Sequence, residues 1–143
     1  MARALTLFLP RSAVPDRAAL QPALDALKFK LTLDDGYVPL KSSGYLPVTF
    51  DGEDAGFNIR FHDVDADLEK LPALKAALDG QDPAALVAVD IKWSGDVREK
   101  VAALGVCAAL AKSFGALAHD AASDKLTGAD TLIAQVREEM ENL

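Results

Sequence analysis

The chain opens on a two-residue alternation. Leu5, Leu7 and Leu9 are spaced by Thr6 and Phe8, which predicts a buried first strand. Pro15 and Asp16 then introduce Leu20, Leu24 and Leu27 at i, i+4 and i+7, a helical stripe. Pro22 falls inside it without an amide to donate, so the helix is expected to become regular only from there. Phe29, Leu31 and Leu33 alternate with Lys30 and Thr32 as a half-buried strand, ended by Asp34-Asp35-Gly36. Tyr37 to Leu40 reads as a short strand that Pro39 confines to an edge or bend.

Tyr45 to Phe50, a polar turn from Asp51 to Gly56, and a return from Phe57 to His62 predict a hairpin. Phe57, Ile59 and Phe61 face one way; Asn58, Arg60 and His62 form the wet face. Leu68, Leu71, Leu74 and Leu78 mark a helix that Pro72 interrupts and Gly80 closes. A strand follows with Val87, Val89, Ile91 and Trp93 on its inward face.

Ser94-Gly95-Asp96 launches the longest helix, expected over Val97 to Leu117. Its stretch from Val101 to Ala111 has no charge, so it must be covered all round. Ala102, Gly105 and Ala109 put small residues on one side, where another backbone is expected to come close. Thr127 to Asp130 has the spacing of a capping box, opening a last helix striped by Leu132, Ile133, Val136 and Met140.

The connections in the middle are too short for parallel crossovers. The chain therefore reads as one α+β domain over residues 1–143. Its expected architecture is a mostly antiparallel sheet of about four to five strands, helices packed on one face, and a C-terminal helical pair.

Half of the residues are hydrophobic, enough for a core without metal or disulfide staples. The net charge of −7 argues against nucleic acid or an anionic membrane as the main partner. One cysteine cannot close an internal disulfide. Arg3 followed by Ala4–Leu9 imitates a leader, but Pro10 and Arg11 end the apolar run too early. A cytoplasmic chain of bacterial type is the expectation.

Most catalytic chemistry finds no pattern here. Cys107 sits among Val106, Ala108 and Ala109, inside an apolar helix where a thiol stays protonated. His62 and His119 are the only imidazoles, and there is no strand–Gly-x-Ser-x-Gly–helix elbow. Asp63, Asp65 and Asp67 imitate the start of a calcium loop. The loop's glycine position holds Leu68, and its terminal glutamate position holds Leu74. No zinc spacing or phosphate-binding glycine motif occurs, and Asp96 at the start of the long helix repels a second anion. No cofactor and no metal are expected.

Charge placement is the feature left over. Asp51, Glu53, Asp54, Asp63, Asp65, Asp67 and Glu69 face only Arg60 across residues 51–69. They read either as a solvated rim or as a docking surface for a basic protein partner. Since the strand between Gly56 and His62 is roughly 20 Å long, the two groups should flank a surface rather than converge. A different class of function, a small enzyme or ligand-binding domain, would draw on Arg60, His62, Asp90 and Lys92.

Gly44-Tyr45-Leu46-Pro47 enters the hairpin and Gly56-Phe57 starts its return. Trp93-Ser94-Gly95-Asp96 precedes an alanine-rich helix with Glu99, Ala109-Leu110-Ala111 and Gly115. Together these resemble small bacterial proteins that look like immunity or accessory proteins encoded beside secreted antibacterial toxins. Ser94 stands where that pattern has a second glycine. The resemblance implies a non-enzymatic binder of a protein partner: an immunity protein neutralising a basic toxin domain, or an effector adaptor or chaperone. Homo-oligomerisation stays open.

Overall fold

The computed structural model describes residues 3–64 and 71–143. It is an α+β arrangement of four helices, a six-stranded sheet and a smaller three-stranded one. The strands are β1 (Ala4–Pro10), β2 (Leu31–Leu33), β3 (Ser43–Leu46), β4 (Val48–Phe50), β5 (Glu53–Asp54), β6 (Phe57–Asp63), β7 (Leu86–Lys92), β8 (Leu117–Asp120) and β9 (Lys125–Thr127). The helices are α1 (Arg17–Leu27), α2 (Pro72–Leu78), α3 (Val97–Phe114) and α4 (Ala129–Glu141). The large sheet runs β3-β6-β7-β1-β8-β9 and every pairing in it is antiparallel. It is wider than expected because β8 and β9 add a hairpin after the long helix. Gly115 ends α3 in the left-handed conformation (φ 72°), so Leu117 starts a strand rather than closing the helix.

The expected strand from Tyr45 to Phe50 is in fact two. Leu46 pairs with Phe57 in the large sheet, whereas Val48 pairs with Leu33 in the small one. Pro47 lies at the break, and its carbonyl accepts from the Asp34 amide at 3.2 Å. A Cβ on Gly56 would come within 2.5 Å of both the Leu46 carbonyl and the Tyr45 ring, so only glycine lets the return strand start there. Tyr37 to Leu40 forms a turn instead of a strand, with Leu40 at φ 67°.

Two further boundaries moved for physical reasons. Asp16 Oδ1 accepts from the Ala19 amide at 2.8 Å, so α1 starts at Arg17 and carries Pro22 in its interior. At α4 the N-cap is Gly128 without a side-chain bond, because Thr127 is the last residue of β9. The start of the helix expected from Leu68 lies outside the described residues.

The core lies between the large sheet and α3. Leu7 and Leu9, Phe57 and Ile59, and Val87, Val89 and Ile91 meet a helix buried continuously from Val101 to Leu110. α1, α4 and the small sheet cover the rest of α3, which explains how an apolar helix without a polar face is tolerated. The small residues of α3 receive side chains rather than a backbone: Gly105 faces Leu31 and Phe29. The second face of the sheet is treated differently. There α2 lays Leu74 and Leu78 over Phe8, Leu86 and Ala88. This small second core covers only the part of the face around β1, β7 and β8.

Candidate functional site

On the remaining part of that second face, the side chains are polar and uncovered. Register places Ser43 beside Arg60, Arg60 beside Asp90, and Asp90 beside Thr6; one step away, Tyr45, Asn58 and Lys92 line up in the same way. The period of two that put Asn58, Arg60 and His62 on one face thus meets Asp90 and Lys92 on the neighbouring strand.

Asp90 is the organising group. Its Oδ1 accepts from Thr6 Oγ1 at 2.8 Å, while Oδ2 lies 3.0 Å from His62 Nε2 and 4.0 Å from Arg60 Nε. His62 Nδ1 is 2.8 Å from the Asp63 carbonyl. The His62 Nε2 approach to Asp90 is close in distance but off the line of a hydrogen bond. These contacts fix Asp90 and leave Arg60 and Lys92 to project. A cleft of about 350 Å³ opens beside them, lined by Ser43, Asn58, Arg60, Asp90 and Lys92. Tyr45, opposite Asn58 on β3, has 58% of its surface exposed, the most exposed large hydrophobic residue among the described residues. In the sequence Tyr45 opens a hairpin strand, and the edge-strand surface around Tyr45 and Pro47 is the alternative to the acidic residues as an interface. The exposure of Tyr45 follows from the place of β3 at the end of the large sheet, which long-range pairing decides.

The acidic residues separate as the strand length required. Asp51, Glu53 and Asp54 lie at the β4–β5 turn, with Asp51 at φ 51°; Asp63 ends β6. Glu53 Oε2 pairs with Arg98 Nε at 2.7 Å, and Asp63 pairs with Arg11. Asp51 and Asp54 make no ion pair among the described residues. Asp65, Asp67 and Glu69 lie outside the described residues.

The other candidate groups are engaged in structure. Cys107 is wholly buried, and burial pushes its thiol far above the ordinary range. Tyr37 donates its hydroxyl to the Pro15 carbonyl at 2.9 Å; burial, with Asp16 adding, raises its pKa to about 12. His119 is 1% exposed, stacked edge-on to Phe8, with Nε2 2.8 Å from Asp124 Oδ1. Trp93 packs partly against the core beside a cleft of about 380 Å³, whose Lys100 is paired with Glu139 at 2.8 Å. No group of three or more metal-ligating side chains occurs among the described residues. No helix among them is long and apolar enough to cross a membrane.

Comparison of the chain with protein-family models, curated proteins and solved structures finds no match.

Proposed function

We propose that this chain is a non-enzymatic protein-binding module whose docking surface is the uncovered part of the large sheet's second face. The observation that carries this reading is Tyr45. A large aromatic side chain stands mostly in solvent on the outer strand β3, opposite Asn58 with its ring over Gly56, on a sheet face that α2 covers only in part. Aromatic and arginine side chains bring much contact area for little ordering entropy, and they dominate the energetics of interfaces. The resemblance of the Gly44–Pro47, Gly56-Phe57 and Trp93–Asp96 segments supplies the finer reading: an immunity protein that neutralises a bacterial toxin by direct binding, acting in the cytoplasm. Capture of partners from a lysate of the source cells, with parent chain and Tyr45→Ser in parallel, tests the surface. A partner held by the parent and released by the variant supports it. Equal capture by both moves the interface elsewhere.

A second reading rests on Asp51 and Asp54, which make no ion pair among the described residues. They would steer a basic toxin domain toward the β4–β5 turn. Reversing Asp51, Glu53 and Asp54 to lysine is then expected to slow association by roughly tenfold at low salt. The difference should shrink as ions screen beyond about 10 Å near 0.1 M. Stopped-flow association at two ionic strengths checks this, and equal rates at low salt dismiss the turn as a steering element. The fold should survive, since Glu53–Arg98 is an exposed pair of small net value.

A further inference from the structure

We infer that the free edge of β3 is a strand-addition site that takes an extended partner segment with alternating apolar and acidic side chains. This deepens the proposed docking surface and rests on that reading. β3 is an outer strand of the large sheet, paired among the described residues only with β6. Among the described residues, no backbone hydrogen bond outside that ladder involves Ser43, Gly44, Tyr45 or Leu46. The chain closes a comparable edge elsewhere. On β2, the Gln21 side chain accepts from the Leu33 amide at 2.9 Å and donates to the Leu31 carbonyl at 2.8 Å. Arg17 Nε donates to the Leu33 carbonyl at 2.9 Å. Among the described residues β3 receives no such cover, and an open edge presents donors and acceptors to any passing strand.

The surroundings of β3 specify what kind of strand. A groove of about 450 Å³ runs between β3 and the 34–41 loop, with Val38, Leu46, Pro47 and Ile59 among its walls. The cleft with Arg60 and Lys92 shares Ser43, Gly44 and Ile59 with that groove, so the two flank β3. Exposed large apolar side chains gather here too: Val38, Leu40 and Tyr45. A strand laid along β3 sends alternate side chains to opposite faces. One set would enter the groove against Val38, Leu46 and Pro47. The other would lie over the cleft with Arg60 and Lys92, where carboxylates suit best. Lys41 adds a third cation at the groove. Of the two carboxylates in these linings, Asp34 accepts from the Gly36 amide and Asp90 from Thr6. A second copy of this chain suits the site poorly, since its own β3, Ser43-Gly44-Tyr45-Leu46, carries no carboxylate to meet Arg60 and Lys92.

The test is selection of a random dodecapeptide phage library on the intact chain, followed by synthesis of the enriched peptide. Enrichment should favour proline-free sequences alternating Val, Ile or Phe with Asp or Glu. The synthetic peptide should slow amide hydrogen exchange within Ser43–Leu46. Arg60→Gln combined with Lys92→Gln should weaken its binding by roughly tenfold or more, as should N-methylation of alternate peptide amides. Melting temperatures of parent and double variant are compared to show that both are folded. No enrichment, basic or proline-rich winners, or unchanged exchange at β3 each overturns strand addition. The broader surface is judged separately. A protein partner released by Tyr45→Ser without protecting the β3 amides leaves face docking standing and removes strand addition. A partner indifferent to Tyr45→Ser removes both.

Discussion

Gly105→Leu is expected to destabilise the fold by about 3 kcal/mol. Gly105 lies at the centre of the fully buried run of α3, directly against β2 and the residue preceding its neighbour Lys30. A Cβ there would overlap Leu31 Cδ1 and stand 3.3 Å from Phe29 Cδ2. Phe29 is 0% and Leu31 2% exposed, so neither can swing into solvent without opening the core. Leucine adds three further carbons, and the small sheet would have to move off α3. Gly105→Ala separates the two effects. Alanine gains about 1 kcal/mol of helix propensity, and only the tip of the Leu31 side chain must yield. Urea denaturation distinguishes the variants: the leucine variant should show a lower midpoint with an unchanged slope, the alanine variant a much smaller shift. An unchanged midpoint for Gly105→Leu would mean that β2 does not seat on α3 in solution.

That contact also shows which information was local in the sequence. The demand for cover was readable from the uncharged stretch Val101 to Ala111, because periodicity reports which faces are apolar. The identity of the cover was not, since Phe29 and Leu31 reach α3 only after Pro47 sends the chain from one sheet to the other. A proline within an alternating run was visible as an edge signal, yet its consequence, two strands in two sheets, depends on the distant pairing of Val48 with Leu33. Likewise Gly115 was a helix stop in plain view. Leu117, continuing the apolar stripe, concealed it, and the β8–β9 hairpin went unread. At the candidate site, alternation alone aligned Arg60 with Asp90 and Asn58 with Lys92. The pairs Glu53–Arg98 and Arg11–Asp63 join segments far apart in sequence, so the neutralisation of half of the described acidic group had no local signature.

His119 offers the second large effect, with a pH dependence attached. Its ring is buried edge-on to Phe8, and Nε2 meets Asp124 Oδ1 at 2.8 Å. Asp124, held at φ 51° in the β8–β9 connection, also accepts from the Ala73 amide at 2.8 Å through Oδ2 and faces the Leu74 amide at 3.4 Å. One carboxylate therefore joins the hairpin to the first turn of α2, where Leu71 supplies no side-chain cap. His119→Ala should cost about 3 kcal/mol, from the cavity beside Phe8 and from the lost partner of Asp124. The Ala73 amide, followed by the His119 ring, holds the Asp124 carboxyl below its ordinary value of 3.8. A carboxyl with a lowered folded-state pKa contributes stability that is complete above its unfolded value. That contribution is lost as pH falls through the lower folded value. In this window the unfolded chain binds the extra proton, so stability rises with pH. Asp124→Asn cannot titrate, and its second side-chain atom donates where Asp124 accepted. The variant should be less stable than the parent at pH 7, and the gap should narrow below about pH 4 as the parent loses its advantage. Thermal melts of both chains from pH 7 down to the acid limit of folding check the sign. A gap that stays constant across that range would show that Asp124 is not charged against the amides of α2, and that apolar contact alone seats this helix.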